Sequence, residues 1–408
     1  MDKLKVGKLG TFFCLYIAQT IPMSFFSTAL PVMMRQENFS LTTIGLLQLI
    51  KLPWIFKFLW STFMDRRMET VHDYKRWIIS AELVYAALIF LISFLDFKAD
   101  FYFILPLIIL AFIASATQDI ATDALAVLSF SRKDKSLVNS MQSMGSFGGT
   151  LLGSGVLLLL LHKMGWSNML PFLALFVFIA LLPLVLNRRM QIHRDTKPER
   201  AKRADMFYFF TQKGIYKQVG FLFLCYSGLI GTLAMLKPYL VDLGYDMNEI
   251  GVMNGMAGTF VGFIAAFAGG FIVRWVGRYW SRILFAGNII ITATYFLALS
   301  FIHPVTLMLY VGIFMLWGSY GMATIIVYTT AMDCVRPGRE GTDFTVQTVI
   351  THLSSMIIAI GSGKLADHLG YRGLFIFELL LALLTFCYIT FVFKYDKREE
   401  NNLPAGEI

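Results

Sequence analysis

Residues 101–130 read FYFILPLIILAFIASATQDIATDALAVLSF. A run of this length and apolarity exceeds the ~20 residues that a helix needs to cross a bilayer. Late in it comes Ser115–Ala116–Thr117–Gln118–Asp119–Ile120–Ala121–Thr122–Asp123. On a helix, Ser115, Gln118, Asp119, Thr122 and Asp123 fall at i, i+3, i+4, i+7 and i+8, which is one face. Two carboxylates therefore share a narrow polar stripe in a hydrocarbon-compatible segment. A charge at the centre of a spanning helix costs at least ~2–3 kcal/mol, and it persists where it meets a partner or a water-filled cavity. The competing reading is a helix end that reaches the interface, which suits Asp123 better than Asp119, a turn deeper.

The whole chain shares this character. Of 408 residues, 57% are hydrophobic and 15% charged, more apolar surface than a soluble protein of this size could hide. The 38 Phe suit lipid-facing helices. Twelve apolar spans are expected, at about 9–33, 43–64, 77–95, 101–130, 137–161, 168–187, 217–240, 249–273, 281–301, 304–332, 342–366 and 373–393. The first ends in Pro31–Val–Met–Met–Arg35 with no small-residue cleavage site, so it is expected to remain as a span. Cys14, Cys225, Cys334 and Cys387 are scattered, as are the six His, so neither a disulfide framework nor a metal site is expected. No nucleotide-binding loop or nucleophile–base spacing is present, which argues against an enzyme and against a cofactor.

The net charge of +9 is distributed with a purpose. With the N-terminus inside, the inner segments hold Lys3, Lys5 and Lys8; Arg66, Arg67, Lys75 and Arg76; Arg132, Lys133 and Lys135; Arg274, Arg278 and Arg282; Arg336 and Arg339; and Lys394, Lys397 and Arg398. Outer loops keep Arg35, Lys98, Lys163, Lys237 and Arg372 beside acids such as Asp96, Asp100, Asp242 and Asp246. That bias places both termini in the cytoplasm. The basic segment with His193, Arg194, Lys197, Arg200, Lys202 and Arg203 reads as a cytoplasmic linker near anionic head groups rather than a nucleic-acid site. The expected organisation is a six-helix bundle at 1–188, a linker at 189–216, a second bundle at 217–394 and a tail at 395–408.

The halves repeat. Phe39–Ser–Leu–Thr–Thr–Ile–Gly45 parallels Tyr245–Asp–Met–Asn–Glu–Ile–Gly251, and Gln142 parallels Gln347. Gly153–Ser–Gly155 parallels Gly361–Ser–Gly363, and Gly165–Trp166 parallels Gly370–Tyr371. Four matches in one order at nearly one offset describe a 6+6 parallel repeat, the plan of the major facilitator superfamily. Asp65–Arg66–Arg67, ending in Lys75–Arg76, resembles that superfamily's loop signature, and Gly270–Phe–Ile–Val–Arg274–Trp–Val–Gly277–Arg278 is its second-half counterpart. An acid at a helix end there can meet a neighbouring helix N-terminus, so Asp65, Arg66, Arg274 and Arg278 are the gating-loop candidates.

Leu41–Thr–Thr–Ile–Gly45, Leu52–Pro53–Trp–Ile–Phe–Lys57–Phe–Leu–Trp60, Asp65–Arg66 and Ser115–Ala–Thr–Gln118–Asp119–x3–Asp123–Ala124 together resemble the AmpG-type muropeptide permeases and the related acetyl-coenzyme A and ferric-siderophore permeases. The resemblance implies an all-α, twelve-helix inner-membrane transporter of pseudo-symmetric bundles, working by alternating access on a fairly large anionic or amphiphilic solute. A muropeptide-like glycopeptide is the first expectation and a ferric siderophore the alternative. A non-transporting receptor or assembly factor on the same scaffold is a lesser one. Proton-coupled import by a monomer is expected, with Asp119, Asp123 and Lys57 as the coupling residues and Lys57 the partner of one of the two acids. Lys51, too far from a helix end to snorkel, is expected on the cavity with Gln19, Ser27, Gln118 and Tyr226 as solute-binding candidates. At the repeat offset Asp119 and Asp123 fall on Thr324 and Tyr328, so the ionisable load lies in the first half, with Lys364 and Glu378 the exceptions in the second. Glu82 is expected at the interface.

Overall fold

Helices begin and end in this chain where local chemistry says they should. The computed structural model describes residues 3–38, 47–192, 201 and 205–393, in which no strand occurs. We number the helices by expected span. Helix α1 is Lys3–Gln36. Helix α2 is a 3-10 turn Leu47–Lys51 followed by Leu52–Phe56 and Phe58–Asp65. Pro53 at its first α-helical turn lacks the amide that a continuous ladder would need. Helix α3 is Val71–Ile92 and α4 is Phe101–Ser129. Helix α5 runs through Lys135–Leu151, a π-helical turn Leu152–Val156 and Leu157–Met164; α6 is Trp166–Leu186.

The second half repeats the plan. Helix α7 is broken into Ile215–Leu224 and Ile230–Asp242. Helix α8 spans Met247–Val276 with a π-helical stretch Gly251–Gly258. Helices α9 and α10 are Arg278–Leu299 and Thr306–Asp333. A single run, Glu340–Val392, reverses at Gly370, whose φ is +67°; its two arms are α11 and α12. Gly165, between α5 and α6, has φ +76°. These are the paired glycines of the repeat, and the left-handed turn that each makes admits few other residues. The first copy of the 39–45/245–251 repeat, linker positions 193–200 and 202–204 and the tail beyond 393 lie outside the described residues.

Among the described residues eight helices are long and apolar enough to cross a membrane. Large apolar side chains point outward, including Phe94, Tyr102, Leu159, Leu307 and Phe391, which is lipid-facing chemistry rather than that of a wetted surface. Inside, α1, α3, α4 and α6 pack together, as do α7 to α12. Close approach of α1 to α5 depends on glycine. Gly145, Gly149 and Gly153 recur every fourth residue, and a Cβ on them would meet Tyr16, Thr20 and Ser24 of α1. This small-residue ridge lets two backbones approach as membrane helices commonly do.

One expectation is overturned. Glu82 is not interfacial; it is buried, and neither carboxylate oxygen has a hydrogen-bond partner among the described residues. The reason is the start of α3. Thr70 accepts from the Asp73 amide while Asp73 accepts from the Thr70 amide and hydroxyl, a reciprocal cap that begins the helix at Val71 rather than near 77. Those Thr70 donors, backbone first, hold the Asp73 carboxyl below the usual carboxylate range. Glu82 is then eleven residues into α3, about 16 Å from its start.

Candidate functional site

The polar stripe of α4 faces inward for its whole length: Ser115, Gln118, Asp119, Thr122 and Asp123 are all buried. Asp119 is held from two directions. Lys57, at the break in α2, pairs with its Oδ2, and Gln19 of α1 donates to its Oδ1 at 2.9 Å. Lys57 is itself 2% exposed and lies 5.2 Å from the centre of the Trp54 ring. The helix break puts its stem inside the bundle instead of along the helix toward the membrane surface. Asp123 takes different partners: Tyr16 donates to Oδ1 at 2.8 Å and Gln142 donates to the same oxygen at 3.2 Å. Of the two acids open from sequence, the structure brings Asp119 to Lys57. Asp123 is 1% exposed, so it is no closer to solvent than Asp119.

The other candidates are placed as follows. Lys51 is half-buried at the 3-10 to α junction of α2, with no hydrogen-bond or ion-pair partner among the described residues. Gln118 is wholly buried, and its amide makes no hydrogen bond there. Ser27 is half-buried with an unpaired hydroxyl. Tyr226 sits in the break of α7, buried, its ring 5.5 Å from that of Tyr320 and its hydroxyl unpaired. Lys364 is exposed. Glu378 is buried, accepting from the Ser362 hydroxyl at 3.2 Å and from the Gly231 amide, in the first turn of the second part of α7, at 3.2 Å.

At the end of the bundle that carries Arg66, Arg132, Arg278 and Arg336, hereafter the basic end, the halves are fastened together. Asp65 Oδ1 accepts from the Gly341 amide at 3.0 Å and Oδ2 from the Thr342 amide at 2.6 Å. A carboxylate on the first turn of α11 meets the positive end of that helix. Arg274 of α8 reaches Asp134 at 3.3 Å, and Arg278 pairs with Asp333 at 3.0 Å and donates to the carbonyl of Arg132. Lys135 adds an ion pair to Asp333 at 3.5 Å and donates to the Met332 carbonyl at 2.8 Å. Deeper in, Ser136 and Ser140 of α5 donate to Gly270 and Ala266 of α8, both at 2.9 Å. Arg66 lies half-buried beside the cluster.

His352 is a residue that sequence reasoning passed over. It lies on α11 with Lys57 and Asp119 as the charged groups that bear on it, and it is solvent-accessible. Its signal is positional. Thr342, Thr345, Val349 and His352 recur at i, i+3, i+7 and i+10, so His352 shares the face whose first member fastens to α2.

Comparison with known proteins decides the family. The model of the Major Facilitator Superfamily matches residues 12–359 and 282–407. The chain belongs to that superfamily. The anhydromuropeptide permease of Escherichia coli K12 is 25% identical over 276 residues, which are 66% of this chain and 56% of that permease, so the match spans little over half its length. A Rickettsia bellii protein named AmpG 1 is 23% identical over 370 residues, 85% of this chain and 89% of that one. In fold, the human organic anion transporter MFSD10 (TETRAN) superposes with a TM-score of 0.73 at 12% identity, over 95% of this chain and 100% of that one. The chain is thus a member of that superfamily with helices long and apolar enough to cross a membrane, and its relatives are named as permeases and transporters.

Proposed function

We propose that this chain imports a fairly large anionic or amphiphilic solute of the anhydromuropeptide class, coupled to protons, by alternating access between residues 1–188 and 217–394. The basic end and both termini are cytoplasmic in this reading, the membrane is a bacterial inner membrane, and the transporter acts as a monomer. The substrate class is drawn from the Escherichia coli permease and the Rickettsia AmpG relatives. With the basic end inside, the fastened arrangement of Asp65 on α11 and Arg274 on Asp134 is the outward-facing state.

The observation that carries the coupling is the buried Lys57–Asp119 pair on the inward-facing polar stripe of α4. A carboxylate left without its cation in a desolvated site takes up a proton, and restoring the cation expels it. Rocking of the halves that changes the separation of α2 and α4 therefore loads and releases one proton at Asp119. Asp123, held by Tyr16 and Gln142, supports the same stripe on α4. Lys51 receives an anionic group of the solute on entry, and Gln19, Gln118, Ser27 and Tyr226 complete its polar contacts.

The test is uptake of anhydromuropeptide into proteoliposomes under a pH gradient, alongside counterflow without one. Asp119→Asn is expected to lose accumulation while retaining counterflow. Accumulation at the wild-type level would refute coupling at Asp119.

A further inference from the structure

Helices α2 and α11 form an interface between the halves. At its basic end Thr342 donates its amide to Asp65, and its hydroxyl lies 3.3 Å from that of Thr62. His352 is on the same face ten residues along α11, about 15 Å from Thr342. Lys57 is eight residues before Asp65 on the antiparallel α2, about 12 Å from that acid. The two side chains therefore stand at nearly one depth on opposite walls. Yet Lys57 is buried against Asp119 while His352 is exposed on its helix. Around it, Thr351 and Ser354 turn into their own half, Ser354 donating to the Phe223 carbonyl at 2.5 Å. Nothing in that packing requires a histidine at 352.

We propose that His352 joins Tyr226 as a second-half contribution to the solute site: its imidazole N–H takes an anionic oxygen of the solute, presenting that anion to Lys57 across the interface. This rests on the reading of Lys57–Asp119 as the coupling pair. The exchange balances without another reactant. The solute anion takes over the Lys57 ammonium, and Asp119, now without its cation, receives one proton as a carboxylic acid. Discharge runs in reverse: the anion leaves, Lys57 returns to Asp119, and the proton goes to the inner water. The site thereby joins one group from each half through the solute itself, so binding draws the two walls together.

Two measurements test this. In exchange assays on reconstituted protein, His352→Gln and His352→Ala should raise KM for anhydromuropeptide with free carboxylates by about tenfold, the loss of one hydrogen bond to a charged group. KM for the carboxamide form, whose anions are masked, should be the same in wild type and variants. Equal KM for the free acid in wild type and both variants would overturn the proposal. Separately, in protein labelled with 15N-histidine, the imidazole resonance that disappears in His352→Gln should shift when anhydromuropeptide is added and stay fixed with the carboxamide form. No shift on adding the free acid also overturns it. The parent reading fails independently. Normal accumulation by Asp119→Asn removes the proton coupling even if the His352 resonance moves. Lost accumulation by Asp119→Asn with a motionless His352 resonance removes only the cross-interface site.

Discussion

Asp119 and Asp123 are four residues apart on one stripe, but their partners give them opposite sensitivities. Lys57 and Asp119 are both buried, so removing either leaves an uncompensated charge, at a cost of ~3–5 kcal/mol. Lys57→Met and Asp119→Leu should each lower the thermal stability of the detergent-solubilised protein, and the double substitution should recover most of the loss. Additive losses in the double variant would show that the pair makes no direct contribution. Asp123 instead receives two neutral donors on a single oxygen, from Tyr16 and Gln142. Asn offers a carbonyl oxygen to both, so Asp123→Asn should melt within a degree or two of wild type, whereas Asp123→Ala strands two buried donors at ~1–3 kcal/mol each. Comparing the two melting temperatures checks this. The stripe, and Lys57 as the partner of one of its acids, were legible because i, i+4 spacing on an apolar helix and a lysine within another span need no tertiary information; which acid it meets was not. Glu82 was misplaced because the polar residues His72, Asp73, Lys75 and Arg76 read as loop. The Thr70–x–x–Asp73 cap was the local signal that the helix had already begun. His352 was missed because isolated histidines were weighed as metal ligands rather than by helical face.

At the scale of helices, the most demanding contact is the glycine ridge of α5 against α1. A Cβ at Gly149 would fall against the Thr20 side chain, and one at Gly153 against Ser24 and the Ile21 carbonyl. Gly149→Val should therefore destabilise the protein by ~1–3 kcal/mol, as overpacking does elsewhere. It should also impair transport beyond what the stability loss explains, because α1 carries Tyr16 and Gln19, which hold Asp123 and Asp119. Wild-type melting and transport in Gly149→Val would show that α1 can retreat without consequence. Helix positions were readable from hydropathy to within a few residues at most ends. The interruptions were not. Pro53 announced a kink, but the break falls four residues on, at Lys57, where it turns the ammonium inward. The break at 225–229 in α7 had no warning beyond nearby glycines, because what stabilises it comes from α12: Glu378 receives the Gly231 amide that a continuous helix would have satisfied. Such a feature depends on a residue far along the chain, and no local pattern encodes it.

At the scale of the molecule, the repeat matters because the proposed cycle rocks its two halves against each other, and the contacts that join them run from the basic end along α5 to the Ser143–Thr324 hydroxyls and the ring of Phe147 against Trp317. The fastening across the basic end includes the two amides on Asp65, the Arg274–Asp134 pair, the Lys135–Asp333 pair, the bonds of Arg278 and Lys135 to the Arg132 and Met332 carbonyls and the serine bonds from α5 to α8. The proposed cycle needs this closure to be breakable, so the total preference for the closed end should be small, and one contact should tip it. Asp65→Ala removes the acceptor for two α11 amides, each bond worth ~0.5–1.5 kcal/mol net and ~1–3 kcal/mol where a donor is left buried without a partner. A change of 1.4 kcal/mol shifts a two-state equilibrium tenfold, so the loss should move the population by one to two orders of magnitude toward the state open at this end. The measurement is a spin–spin distance distribution between labels at Arg67→Cys and Trp275→Cys, exposed positions on opposite halves of the basic end, with the four native cysteines replaced. Wild type should show a dominant short distance and Asp65→Ala a dominant long one. Asp65→Asn, which keeps one acceptor oxygen, should fall between. If Asp65→Ala kept the short distance, the ion pairs of Arg274 and Lys135 would be sufficient to hold the end closed, and the contact of Asp65 with α11 would have no share in the switch.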